Sequence, residues 1–109
     1  MKKYNVAVVG ATGAVGEELF RVLDVVDFPI NNLLPLASAK SAGTEIEFKG
    51  KAYKVVELTE NVFEEHNVEI AFFSAGGDIS AHYAPYAAQA GAVVIDNTSH
   101  FRMNPDVPL

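Results

Sequence analysis

A β-branched run, Tyr4 to Val9, ends at Gly10 and passes through Gly13 and Gly16 into the acidic, leucine-bearing segment that begins Glu17-Glu18-Leu19. The run is apolar without alternation, as in a strand buried on both faces of a sheet. The positions that follow it change period. Val15, Leu19, Val22, Leu23 and Val26 form the stripe of a helix lying on that sheet, with Glu17, Glu18 and Asp24 pointing elsewhere. At the junction Gly10 permits a tight exit from the strand, Gly13 lets backbone approach a phosphate, and Gly16 lets the helix pack close to the strand. The free N–H groups of the first helical turn, with the helix dipole behind them, make an anion site suited to a pyrophosphate. The spacing is G-x-x-G-x-x-G, one residue off the commonest dinucleotide fingerprint, and a glycine turn that merely packs well is the competing reading. The strand before it and the periodic helix after it favour the ligand-binding one.

The rest of the chain repeats the alternation. Leu33 to Ala37 reads as a second strand, Thr44 to Val56 as a hairpin turning at Lys49-Gly50-Lys51, and Glu60 to Glu65 as a short helix capped by Thr59. Val68 to Phe73 is another buried strand. Asp78 is placed to cap a helix with Ile79, Tyr83, Tyr86, Ala87 and Ala90 on one face, which Pro85 should kink or split, and Ala92 to Ile95 closes the series as a strand. Such alternation implies an α/β, Rossmann-like domain over residues 1–109: a mostly parallel sheet with helices on both faces and one hairpin insertion.

Composition narrows the function classes. With 14 acidic against 8 basic residues and a net charge of −6, the chain lacks the basic surface that nucleic acid requires. No apolar run approaches the ~20 residues of a membrane span, and Met1-Lys2-Lys3 does not lead into a cleavable signal, so a cytoplasmic location is expected. There are 0 cysteines, which excludes a thiolate metal site and a cysteine nucleophile within these residues. The three histidines, His66, His82 and His100, fit no metal-site spacing, so no metal is expected.

The end of the second strand bears on which dinucleotide is bound. An NAD site places Asp or Glu about 20 residues beyond the glycine loop to hold the ribose 2′-hydroxyl. Ser38 stands 22 residues past Gly16, in the segment Ala37-Ser38-Ala39-Lys40-Ser41, which has hydroxyls and a cation and no acid. Ser38, Lys40 and Ser41 can donate to a 2′-phosphate that a carboxylate would repel, so the segment points to NADP. A lysine beside serines also suits an ordinary solvated loop. Four windows hold no acidic residue at all, namely 1–16, 28–44, 70–77 and 97–105, and they contain every loop expected at the carboxyl ends of the parallel strands. An anionic ligand would account for that, because a like charge in a partly dehydrated site is costly.

Four segments taken together, Gly-Ala-Thr-Gly-Ala-Val-Gly, Leu-Ala-Ser-Ala-Lys-Ser, Phe-Ser-Ala-Gly-Gly and Val-Ile-Asp-Asn-Thr-Ser-His-Phe-Arg-Met, resemble the amino-terminal part of the aspartate-semialdehyde dehydrogenases. The resemblance implies reduction of β-aspartyl phosphate to aspartate 4-semialdehyde by NADPH with loss of phosphate, on the route to lysine, threonine, methionine and isoleucine. It implies that Gly10 and Thr12, Gly13, Ala14 and Val15 cradle the pyrophosphate and that Ser38, Lys40 and Ser41 hold the 2′-phosphate. It further implies that Ser74, Ala75, Gly76 and Gly77 line the cofactor cleft. Asn97 and Ser99 would lie near nicotinamide and substrate, and Arg102 would hold the substrate's phosphate. Many relatives carry arginine where this chain has Lys40, and a lysine lacks the two-pronged guanidinium grip. An acyl-phosphate substrate, inorganic phosphate and a homodimer or homotetramer of the full-length protein belong to the same expectation.

That chemistry needs a cysteine thiolate and a histidine acid/base. No residue before Leu109 fills either role, so the chain reads as the cofactor-binding portion, with its catalytic and dimerisation domain elsewhere and no activity alone. The related N-acetyl-γ-glutamyl-phosphate reductases share this chemistry and a similar loop, and a non-catalytic NADP-sensing module is the alternative of a different class. The short-chain reductases, which also open on Gly-Ala-Thr-Gly, fit less well: none of Tyr4, Tyr53, Tyr83 or Tyr86 has lysine four residues on.

Overall fold

The computed structural model describes residues 3–74 and 77–96. Its elements run β1 Tyr4–Val9, α1 Ala14–Val25, β2 Ile30–Ala37, β3 Glu45–Phe48, β4 Lys51–Lys54, β5 Val56–Glu57, α2 Val62–Glu65, β6 Ile70–Phe73, α3 Gly77–Gln89 and β7 Val93–Asp96. Five strands form one parallel sheet in the order β5-β2-β1-β6-β7, and β3 and β4 pair antiparallel on their own. This is the Rossmann-like architecture that the alternation predicts.

The central strand shows why both faces must be covered. Along β1, Val6 and Val8 point into a cluster with Leu19, Phe20 and Leu23 of α1 and Phe48 of the hairpin, whereas Ala7 and Val9 point into one with Val62 and Phe63 of α2 and Ala87 of α3. Phe72 and Phe73 divide between the same two layers. The hairpin is thus part of the covering layer, its Phe48 ring 5.8 Å from that of Phe20. On that face β7 lies bare: Val93 and Ile95 are 62% and 41% exposed.

Pro35 stands in the interior of β2 at little cost. Leu36 turns its carbonyl toward the β1 side, accepting from Gly10, and Ala37 turns toward β5, accepting from Leu58, so Pro35 faces the β5 side as well. There β5 begins only opposite Leu36, so the missing N–H breaks no ladder bond.

Among the described residues all three helices end in one way. Past α1, Phe28 N–H reaches Leu23 O and Asp27 N–H reaches Asp24 O; past α2, Val68 reaches Phe63 and Asn67 reaches Glu64; past α3, Ala92 reaches Ala87 and Gly91 reaches Ala88. The pivots Asp27, Asn67 and Gly91 have φ of 52°, 52° and 93°. This paired-bond cap turns each chain into the next strand and brings an apolar residue beyond the pivot over the last helical turn.

Several local expectations are corrected. Val22 and Val26 do not join the buried stripe of α1, being 45% and 59% exposed; Phe20 takes their place because the hairpin packs beside the helix. Likewise Ile79 is exposed on α3 and Ser80 is buried. The hairpin ends at Lys54, and Val56–Glu57 is instead the edge strand of the main sheet. Its two-residue turn holds Lys49 at φ 53° and Gly50 at φ 75°, as a tight hairpin requires. Helix α3 runs unbroken through Pro85, where both Pro85 and Ala81 are exposed, so water can satisfy the carbonyl that loses its helical partner. Asn61, not Thr59, is the N-cap of α2, and Thr59 contributes only its carbonyl, which accepts from Val62; Asp78 lies within the first turn of α3.

Candidate dinucleotide site

Because β1 is central, the chain moves from it to β2 on one side and later to β6 on the other. In open α/β sheets the carboxyl end of such a reversal is where ligands bind. Two described turns meet that edge, residues 10–13 after β1 and 38–44 after β2, and Ser74 stands there at the end of β6.

The first turn is held from three sides. Gly10 has φ 86°, and its N–H and that of Ala11 both donate to Leu36 O, at 2.8 and 3.1 Å. Gly13 N–H donates to Gly10 O at 3.2 Å. From β6, Ser74 N–H donates to Val9 O at 2.9 Å, and Ser74 Oγ donates to the same carbonyl at 2.7 Å while lying 3.4 Å from Gly10 O. Gly13 is the N-cap of α1 in extended geometry, φ −87° and ψ 170°, with no side-chain hydrogen bond to the helix end.

The two later glycines have different tasks. A Cβ on Gly16 would stand 2.4 Å from Gly10 O and 3.0 Å from Ala11 Cα, so only glycine lets α1 meet the loop this closely. A Cβ on Gly13 would meet nothing nearer than Gly10 O at 3.6 Å. The fold tolerates a side chain at position 13, and an incoming phosphate would not. This, with Thr12 and Gly13 exposed at the helix N-terminus, fits the residues present to a bound pyrophosphate.

The second turn brings Ser38, Lys40 and Ser41 together. Ser38 O accepts from Ser41 and Ala42 N–H, and Thr44 Oγ1 closes the turn by donating to Ser41 O at 2.7 Å. Ser38 and Lys40 are exposed and Ser41 is half-buried. Leu36 O and Thr44 hold these turns in place, yet sequence reading does not single either out. Thr44, three residues after Ser41 and following Gly43, carries the signal of a side-chain-closed turn; a backbone carbonyl such as that of Leu36 carries none. Gly77 opens α3. Ala75, Gly76, Asn97, Ser99, His100 and Arg102 lie outside the described residues.

Acid is not absent from this edge. Strand β5, whose Val56 is read from sequence as the end of the hairpin, ends there at Glu57 and leads to Glu60. Beside the glycine loop a cleft of about 440 Å³ lies between α1 and the hairpin, with Thr12, Phe20 and Thr44 in its lining together with Glu17, Glu45 and Glu47. Acidic residues thus border the glycine loop and the 38–44 turn on the hairpin side. Further off, Glu60 pairs with His82 Nε2 at 3.0 Å and, by hydrogen bonding and then by its charge, pushes the Tyr86 phenol above its ordinary value. Among the described residues no three His, Asp or Glu side chains form a metal-binding group, His66 is exposed, and no helix is long and apolar enough to cross a membrane.

Residues 5–109 match the family model for the semialdehyde dehydrogenase NAD-binding domain. The chain belongs to that family. The domain is 70% identical over 108 residues to the aspartate-semialdehyde dehydrogenase of Campylobacter jejuni, covering 99% of this chain and 32% of the relative. It is 55% identical to that of Helicobacter pylori strain J99, covering 100% and 31%. Among solved structures, it superposes on aspartate semialdehyde dehydrogenase II from Vibrio cholerae complexed with ASA with a TM-score of 0.83 at 50% identity, over 98% of this chain and 34% of that one. The resemblance carried by the four sequence segments therefore holds along the chain. The semialdehyde dehydrogenase domain spans about a third of the length of these relatives.

Proposed function

We propose that this domain is the NADP-binding portion of an aspartate-semialdehyde dehydrogenase, serving reductive dephosphorylation of L-aspartyl-4-phosphate within a longer protein that supplies the cysteine and histidine. The observation that carries it is the glycine loop at the topological switch point, where packing within the fold does not itself call for glycine at position 13. Bound there, NADP would supply the two-electron redox partner. The first turn of α1 would receive the pyrophosphate on N–H groups from Thr12 to Val15, and Lys40 with Ser38 and Ser41 would neutralise and hold the 2′-phosphate. Gly77 and the preceding Ser-Ala-Gly would wall the cleft on the β6 side. Asn97, Ser99 and Arg102, which follow β7 in sequence, would meet nicotinamide and the acyl phosphate, where a guanidinium can engage two oxygens at once. Small-molecule acyl phosphate and phosphate are the partners in this scheme, in a cytoplasmic homodimer or homotetramer.

Calorimetric titration of the full-length protein tests the cofactor assignment. NADPH should bind roughly ten- to a hundredfold more tightly than NADH, the equivalent of about 1.5–3 kcal/mol of charge-assisted contact, and Lys40→Glu should erase the difference. Equal affinities in the unmodified protein would overturn it.

A further inference from the structure

We propose that Ser74 is a positioning residue, one that shapes the dinucleotide-binding loop from β6 without itself engaging the dinucleotide; this rests on the function proposed above. The hydroxyl carries one proton, and that proton is committed to Val9 O at 2.7 Å, with Gly10 O 3.4 Å away as a second acceptor. Both acceptors belong to the exit of β1 and lie 64 and 65 residues away in sequence, so the contact ties the far side of the switch point to the glycine loop. Ser74 N–H donates to the same Val9 carbonyl. The backbone tether would survive loss of the side chain; the side chain adds the reach toward Gly10.

Gly10 is where that reach matters. Its carbonyl also accepts from Gly13 N–H and sits under Gly16, while its N–H is held by Leu36 O. The Gly10 carbonyl thus lies against the first turn of α1, so its orientation sets how the loop meets the helix end. A left-handed glycine has shallow conformational preferences, so the neighbours must hold this peptide in place. Ser74 supplies the hold from the β6 side, β2 and α1 the rest.

Full-length parent, Ser74→Ala and Ser74→Thr proteins decide the matter. Hydrogen exchange without dinucleotide should show the Gly10, Ala11 and Gly13 amides exchanging severalfold faster in Ser74→Ala and near the parent rate in Ser74→Thr, which keeps a hydroxyl. NADPH and NADH should both weaken by the same factor in Ser74→Ala, roughly fivefold for one neutral hydrogen bond, while adenosine 2′-monophosphate, which lacks the pyrophosphate, should bind as to the parent. Parent-like exchange in Ser74→Ala overturns the proposal, whether or not NADPH binding falls; a fall without faster exchange would make Ser74 a direct ligand. If the parent binds neither dinucleotide, the proposed function fails, and the exchange rates still decide whether Ser74 fixes the loop.

Discussion

Adding one methyl group at Gly16 and at Gly13 should give opposite results. At Gly16 the new Cβ meets only backbone, Gly10 O at 2.4 Å and Ala11 C and Cα at 3.0 Å. That backbone has little room to retreat, because Gly10 and Ala11 N–H are both bonded to Leu36 O in the neighbouring strand. Overpacking a well-filled site costs about 1–3 kcal/mol, and contact with fixed backbone belongs at the upper end. Alanine recovers about 1 kcal/mol of helix propensity, leaving Gly16→Ala destabilised by about 2 kcal/mol. At Gly13 the backbone is extended, a conformation alanine adopts freely, and the Cβ has an ordinary 3.6 Å contact, so stability should stay within about 0.5 kcal/mol of the parent. Urea unfolding of the full-length proteins reads both, as a lowered midpoint at unchanged slope for Gly16→Ala and no change for Gly13→Ala. NADPH titration should then show Gly13→Ala binding at least tenfold more weakly, its methyl standing where the phosphate approaches. A Gly16→Ala protein as stable as the parent, or a Gly13→Ala protein that binds as tightly, would refute the division of roles between the two glycines.

Lys49 Nζ meets Asp27 Oδ1 at 2.6 Å, pinning the hairpin turn to the end of α1, and this hydrogen bond, then the lysine charge, holds the Asp27 carboxyl below its ordinary value of 3.8. Since the folded value is the lowered one, the pair's contribution is complete above the unfolded value near 3.8 and is lost as pH falls through the lower folded value; a double-mutant cycle with Asp27→Asn and Lys49→Met should show coupling at pH 7 that shrinks as pH is taken below about 4, and coupling that does not change in acid would contradict this. Arg102→Lys in the full-length enzyme should keep NADPH affinity while raising the Michaelis constant for phosphate, since lysine keeps the charge but loses the fork; unchanged steady-state constants would make Arg102 a surface residue.

The sheet is legible where a strand is apolar on both faces: the run Tyr4–Val9 coincides with β1, and the glycine turn lies between that strand and its helix. Errors arose where a partner distant in sequence decides the outcome. Periodicity nominated Val22 and Val26, but burial on α1 depends on where the hairpin lies, and Phe48 draws Phe20 inward instead. Val56 ends the hairpin pattern in sequence, and only the pairing of Val56–Glu57 with Leu36 and Ala37 assigns it to the main sheet. Of the two outcomes Pro85 allows, kink or split, the split does not occur, because the cost depends on whether Ala81 faces water, which sequence does not state. At the site, side chains could be nominated from residue type, whereas the contributions of the Leu36 and Gly10 carbonyls are invisible in a list of side chains.

The three alike helix ends have a consequence for how such a domain can change. Each places its left-handed pivot, Asp27, Asn67 or Gly91, two or three residues before the next parallel strand, so each strand's alignment is settled where the strand begins. The turns that would touch ligand come at the opposite end, after the alignment is fixed. Residues can be gained, lost or exchanged in the 38–44 turn, or after Ser74, without forcing the strands to slip by one and turn their side chains inside out. One margin of the sheet keeps count of the chain, leaving the other free to be rewritten.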